Sequence, residues 1–208
     1  EVNGLDADEI FVTSNVIDSV VSTSGSDTNE VVIEGHTISG SDLTFVVQTV
    51  TLTGQTRAAL GTPLARCSWL YNNGSADHVG QVSVYADNSA QSGGVVTDQA
   101  KVHLKTIAGV NQSTKCMTSI SSTEYFLMTH VSGGVLKQQS RSVNFFLELR
   151  ESGKVWRQSF EWATSTTGST EVRIALDPVV IVKPNSDIRI TAVSSSTATA
   201  VVAEFAVY

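Results

Sequence analysis

Residues 141–162 read RSVNFFLELRESGKVWRQSFEW. Apolar and polar side chains alternate on both sides of Ser152-Gly153, the period-two signature of half-buried strands joined by a two-residue tip. Folding the stretch at that tip places Glu151 opposite Lys154 and Glu148 opposite Arg157. On the other face Val143 meets Trp162, Phe145 meets Phe160 and Leu149 meets Trp156. Charged pairs fall on one face and aromatic pairs on the other. A slip of one residue in either strand would mix them, so the pattern predicts both the hairpin and its register.

The rest of the chain repeats this grammar. Strand-like segments recur between Gly, Ser, Asn and Asp clusters, among them 16–22, 30–35, 43–52, 65–72, 79–86, 124–131 and 187–193, and none carries a capped 3.6-residue period. Only 16% of the 208 residues are charged, and 41% are hydrophobic. Val and Thr favour strands, while Ser and Gly supply turns. The expected fold is all-β, a jelly-roll-like β-sandwich, mostly antiparallel and with almost no helix. Residues 1–24 are expected to be an N-terminal arm or first strands, reaching out to a neighbouring subunit. Residues 25–208 are expected to form one sandwich domain, with a long surface loop near 87–100. The unit VTLTGQT (50–56) reads as a strand running into a glycine turn, and Asn73-Gly74 reads as a hairpin tip.

The net charge of −7 comes without any Lys/Arg cluster. A nucleic-acid surface needs a basic stripe, and none can be drawn. An acidic membrane is disfavoured for the same reason, and no apolar run approaches the roughly 18 residues of a spanning helix. The two cysteines, Cys67 and Cys116, form no framework, and a disulfide between them cannot be derived. Cys67 alternates with Trp69 and Tyr71 and is expected as a buried, inert thiol.

Catalytic signatures are missing: no nucleophile elbow, no phosphate-binding loop, no H-E-x-x-H. His36, His78, His103 and His130 are scattered, without metal-ligand spacing, and read as surface or hydrogen-bonded histidines. Asp6, Asp8 and Glu9 form a weak calcium-like cluster without the loop glycine or distal Glu, and read as a solvated acidic terminus. Asn73 and Asn111 begin glycosylation sequons, a match frequent by chance. Trp156, Phe160 and Trp162 are either a core stripe or an aromatic platform for sugar, and Trp69 and Tyr71 pose the same choice. The core reading is preferred for all five.

Three stretches occur in order: STSGSDTNEVVIEGHT (22–37), VVQTVTLTGQTRAAL (46–60) and PLARCSWLYNNGSADHVGQVSVY (63–85). They are joined by SVNFFLELRESGKVWRQSF (142–160) and PVVIVKPNSDIRITA (178–192). Together these resemble a family of tailed-bacteriophage virion structural proteins, from about residue 22 to the C-terminus. The chain departs from the family at Gly35-His36-Thr37-Ile38, where many members have GLDA. It also lacks a proline-glycine motif where QAKVHLKTIAGVNQS stands. The resemblance implies a non-enzymatic particle component with no catalytic, cofactor-binding or metal residues. Its expected place is the virion, assembled in the host bacterial cytoplasm, as a capsid decoration or cement protein. The expected partners are the phage major capsid protein or other virion proteins, and further copies of itself, a trimer being preferred. A tail, collar or fibre-base component is the alternative within the family. A carbohydrate-binding module acting through Trp69, Trp156 or Trp162 is the alternative outside it.

Overall fold

The computed structural model describes residues 13–86, 90–135, 141–166, 170–194 and 201–207. Apart from one turn of 3-10 helix at Gln99–Lys101, its regular elements are strands in antiparallel sheets. The chain divides into two compact units, the first ending at Lys115 and the second beginning at Cys116. The expected single sandwich over 25–208 is therefore replaced by two, each with its own core. Short strand-like segments separated by polar turns continue on both sides of the boundary, so their spacing carries no sign of where one core ends.

The first unit contains β1 (Ile17–Ser22), β2 (Glu30–Ser39), β3 (Asp42–Thr51), β4 (Ala58–Leu64), β5 (Arg66–Asn72), β6 (Val82–Ala86), β7 (Gln91–Ser92), β8 (Val95–Val96), β9 (Val102–Lys105) and β10 (Gln112–Thr114). One sheet has the order β4-β1-β6-β9, the other β10-β5-β2-β3. Ile17 and Val20, Val31 and Ile33, Leu60 and Leu64, Leu70, Val84 and Leu104 fill the space between them. Strand β1 is thus an inner strand, paired to β4 and β6, and not part of an outgoing arm. Residues 1–12, with Asp6, Asp8 and Glu9, lie outside the described residues. Of the loop expected near 87–100, the described residues 90–100 are less open than expected: β7 and β8 form a small hairpin, and Val96 is buried with Val21, Tyr85 and Val102.

The expected strand and glycine turn at 50–56 form, and one further turn expectation changes. VTLTGQT is a corner between layers, because β3 and β4, on its two sides, lie in opposite sheets. Gly54 turns it at φ +65, and its N–H donates to the Asp27 carbonyl at 2.9 Å. Asn73-Gly74 is no hairpin tip, since β5 and β6 belong to different sheets. The SDT triplet (26–28) has a local physical role. The buried Asp27 carboxylate accepts the Ser22 hydroxyl and the backbone N–H groups of Val79 (2.8 Å) and Gly80 (2.9 Å). It therefore ties the chain after β1 to the loop before β6.

The second unit contains β11 (Met117–Ser119), β12 (Phe126–Val135), β13 (Arg141–Glu151), β14 (Arg157–Thr166), β15 (Thr170–Val182), β16 (Ser186–Ser194) and β17 (Val201–Val207). The sheets β11-β16-β13-β14 and β15-β12-β17 enclose Met128, Val131, Val143, Phe145, Leu147, Trp162 and Ile188. Gly133 on β12 makes room for this core: a Cβ there would lie 2.9 Å from the Phe145 ring.

The 141–162 hairpin forms with its predicted tip. The Lys154 N–H donates to the Glu151 carbonyl at 2.9 Å, and Gly153 supplies φ +72. Its register differs. Leu149 pairs with Arg157 rather than Trp156, and Phe145 pairs with Trp162 rather than Phe160. One extra residue enters beside Val155-Trp156, and a second enters at Ser159, between the Leu147–Phe160 and Glu148–Gln158 pairs. A single slip exchanges the faces, but two slips restore them. The aromatic side consequently survives: Phe145 stacks on Trp162, with centroids 5.4 Å apart and planes 12° apart.

Candidate binding surface

The bulge that decides the outer face of the first unit is in β5. Glu34 pairs with Trp69 while Gly35 pairs with Cys67, so Ser68 is the extra residue. Cys67 then turns into the core, and Trp69 turns outward instead of sharing its face. Glycine is required opposite the bulge: a Cβ on Gly35 would lie 2.0 Å from the Arg66 carbonyl oxygen.

The outward side of β10-β5-β2-β3 is built in rows. Val47, Glu34 and Trp69 are cross-strand neighbours in one, with Thr114 beyond Trp69. Thr49, Val32, Tyr71 and Gln112 make the next. Phe45 pairs with His36 in a third, their rings edge-on at 5.3 Å. Trp69 is 40% exposed, Phe45 48% and Val47 54%. The Trp69 and Tyr71 rings lie 5.2 Å apart at 52°. Strands spaced by about 4.8 Å make this a face about 15 Å wide. Glu34 sits half-buried among these side chains, and loss of water raises its pKa above the usual carboxylate range. The expectation that Trp69 is core is therefore overturned. The bulge carries the reason, and no residue type in RCSWLYN announces it.

In the second unit, Trp162 is buried and Phe160 packs against the same core, as expected, but Trp156 is not part of the stripe. The guanidinium carbons of Arg150 and Arg189 lie over its ring, at 4.5 and 4.0 Å from the centroid. Carboxylates hold both cations. Glu148 accepts from Arg189 at 2.8 Å and from the Thr191 hydroxyl at 3.0 Å. Asp187, buried, accepts from Arg150 at 2.8 Å and from the Ser119 hydroxyl. Glu148 thus faces Arg189 of β16 and not Arg157, because β13 is an inner strand and takes its ionic partner from the neighbour that is distant in sequence.

The remaining sequence candidates are dispersed. Cys67 and Cys116 are free thiols. Burial pushes the Cys67 thiol up to about 12, against a smaller opposing effect of Lys115. His36, His78 and His103 are buried rather than on the surface. Burial lowers the pKa of His78, and nearby Asp27 and Asp77 only partly offset it. His130 accompanies Arg173, whose Nη2 lies 2.8 Å from its Nε2. The Asn111 side chain donates to Asp77 at 2.6 Å and accepts from Asn72 and from the His78 N–H. Among the described residues, no group of three or more His, Cys, Asp or Glu is placed to hold a metal ion. No family model, curated protein or solved structure matches the chain.

Proposed function

We propose that this chain is a non-catalytic structural protein of a tailed-bacteriophage virion, acting as a decoration or cement protein on the head exterior. The observation that carries the reading is the outer face of β10-β5-β2-β3, where Phe45, Val47 and Trp69 are exposed beside a half-buried Tyr71 on a sheet with a full core beneath it. A broad apolar and aromatic face of this kind suits docking onto another protein surface. The resemblance of the 22–37, 46–60, 63–85, 142–160 and 178–192 stretches to virion structural proteins supplies the class of that surface, the major capsid protein or another virion protein. Jelly-roll-like packing, a homo-oligomer with a trimer preferred, and assembly in the bacterial cytoplasm belong to the same reading.

The test is binding of the purified protein to heads that lack it, with Trp69→Ala and Phe45→Ala beside the parent. Loss of attachment with unchanged melting supports the reading; attachment by both variants at parental affinity refutes it. Copy number in purified virions separates the positions: hundreds imply the head, about a dozen or fewer imply the tail, collar or fibre base. A second reading takes its support from the same exposed Trp69. Its ring, with Tyr71, Gln112 and Thr114 on the same face, also suits the apolar face and hydroxyl rim of a sugar. Glycan-array binding that Trp69→Ala abolishes would favour it.

A further inference from the structure

The second unit carries a groove of about 270 Å³ between the start of β14 and the end of β15. Leu149 and the buried Val182 form its base. Val155 and Ile181 line it while 73% and 62% exposed. Lys154, Arg157 and Lys183 stand at its rim, with one carboxylate, Glu151, paired to Lys183 at 3.1 Å. This rim is net positive in a chain whose net charge is −7. Among the described strands, β14 pairs only with β13, and β15 only with β12, so both strands flanking the groove present an open edge. An open edge offers unpaired backbone N–H and C=O groups to an extended segment. Apolar lining, cationic rim and free strand edges together select an extended peptide that carries carboxylates beside apolar side chains.

The start of the chain's own sequence, outside the described strands, has that chemistry. Residues 1–12, EVNGLDADEIFV, hold Glu1, Asp6, Asp8 and Glu9 and no Lys or Arg, and end in Ile10-Phe11-Val12. We propose that the groove receives residues 1–12 of a second copy of this chain. The contact gives the homo-oligomer of the functional reading a defined interface, and it rests only on that part of it.

The test is sedimentation of the full chain and of two charge-reversed full chains. One carries Lys154→Glu, Arg157→Glu and Lys183→Glu; the other carries Asp6→Lys, Asp8→Lys and Glu9→Lys. The altered groove residues are exposed, and circular dichroism verifies that each variant keeps its sheet signal. The parent is expected to self-associate, less so as salt is raised, and each variant alone to be monomeric. Mixing the two variants is expected to restore association, because each then meets a segment of opposite charge. A monomeric parent overturns the proposal, including the case in which the segment docks on its own chain. Variants that associate like the parent, or a mixture that stays monomeric, overturn it too. Head binding by a monomeric parent would leave the virion reading standing while the interface proposal fails.

Discussion

The carboxylate of Asp27 and the backbone N–H of Gly80 meet at 2.9 Å across 53 residues of sequence. The same carboxylate takes the Val79 N–H and the Ser22 hydroxyl, so one side chain satisfies three donors, those of Ser22 and Gly80 buried. Each donor left without a partner costs about 1–3 kcal/mol. Asp27→Ala is therefore expected to lower stability by several kcal/mol, and Asp27→Asn by less, since its amide oxygen still accepts from some of these donors. Denaturant melts of both variants check the order.

The same corner sets a pH response. Burial alone would raise the Asp27 pKa, but the hydrogen bonds from Ser22, Val79 and Gly80, with the charge of His78, outweigh it and hold it below 3.8. The His78 pKa is also lowered, from 6.5, chiefly by burial. For both groups the unfolded chain binds protons more readily, so their contribution is complete above the ordinary pKa and is lost as pH falls. Stability should begin to fall below pH 6.5 through His78 and fall again below 3.8 through Asp27. Each proton accounts for a slope of at most about 1.4 kcal/mol per pH unit. Melting His78→Leu across this range should remove the first decline and leave the second; an unchanged first decline would refute the assignment.

Phe145 and Trp162 close the core of the second unit, and Phe145 is fully buried. Phe145→Ala should cost about 3–5 kcal/mol, the range for emptying a core aromatic site. Trp156→Ala should cost less, about 1–2 kcal/mol, because its ring serves two guanidinium groups and fills no core space. Equal losses in urea would show that Trp156 is core after all.

What the sequence made legible was what depends on neighbours along the chain. Alternation identified strands, and Ser152-Gly153 identified a tip. The faces of 143–147 and 160–164 came out right although the register was two residues off, because two bulges cancel in parity. Extra residues at Ser68 and beside Val155-Trp156 leave no trace in residue type, and they decide that Trp69 faces solvent and that Trp156 leaves its strand pair. Partners distant in sequence were equally hidden. Arg189 and Asp187 lie in PNSDIRITA, and only the pairing of β16 with β13 brings them to Glu148 and Arg150. The division at Lys115/Cys116 also arises from such pairings, since β10 joins β5 and β11 joins β16.

The Cys67 thiol lies in the core with its pKa pushed up to about 12. A thiol held protonated and out of reach does not attack disulfide reagents. At pH 8 the native protein should show no reaction at Cys67, followed with Cys116→Ser so that one thiol is counted, and full reaction in denaturant. Rapid native labelling would mean that the bulge at Ser68 does not hold Cys67 inward.

Glu148 and Arg157 separate the predicted hairpin from the one that forms. A direct Glu148–Arg157 pair at an exposed face would contribute under about 1 kcal/mol, and either truncation would be mild. In the structure Glu148 instead anchors Arg189, whose side chain is only 10% exposed, and it also accepts from Thr191. Glu148→Ala strands a nearly buried guanidinium and should cost about 3 kcal/mol, at the lower end for breaking a buried pair. Arg157, exposed at the groove rim, should cost under about 1 kcal/mol on truncation to Ala. A double-mutant cycle sharpens the contrast. Coupling between Glu148→Ala and Arg189→Ala should be large, and coupling between Glu148→Ala and Arg157→Ala near zero. The reverse result would restore the simple hairpin register and remove the ionic frame beneath Trp156.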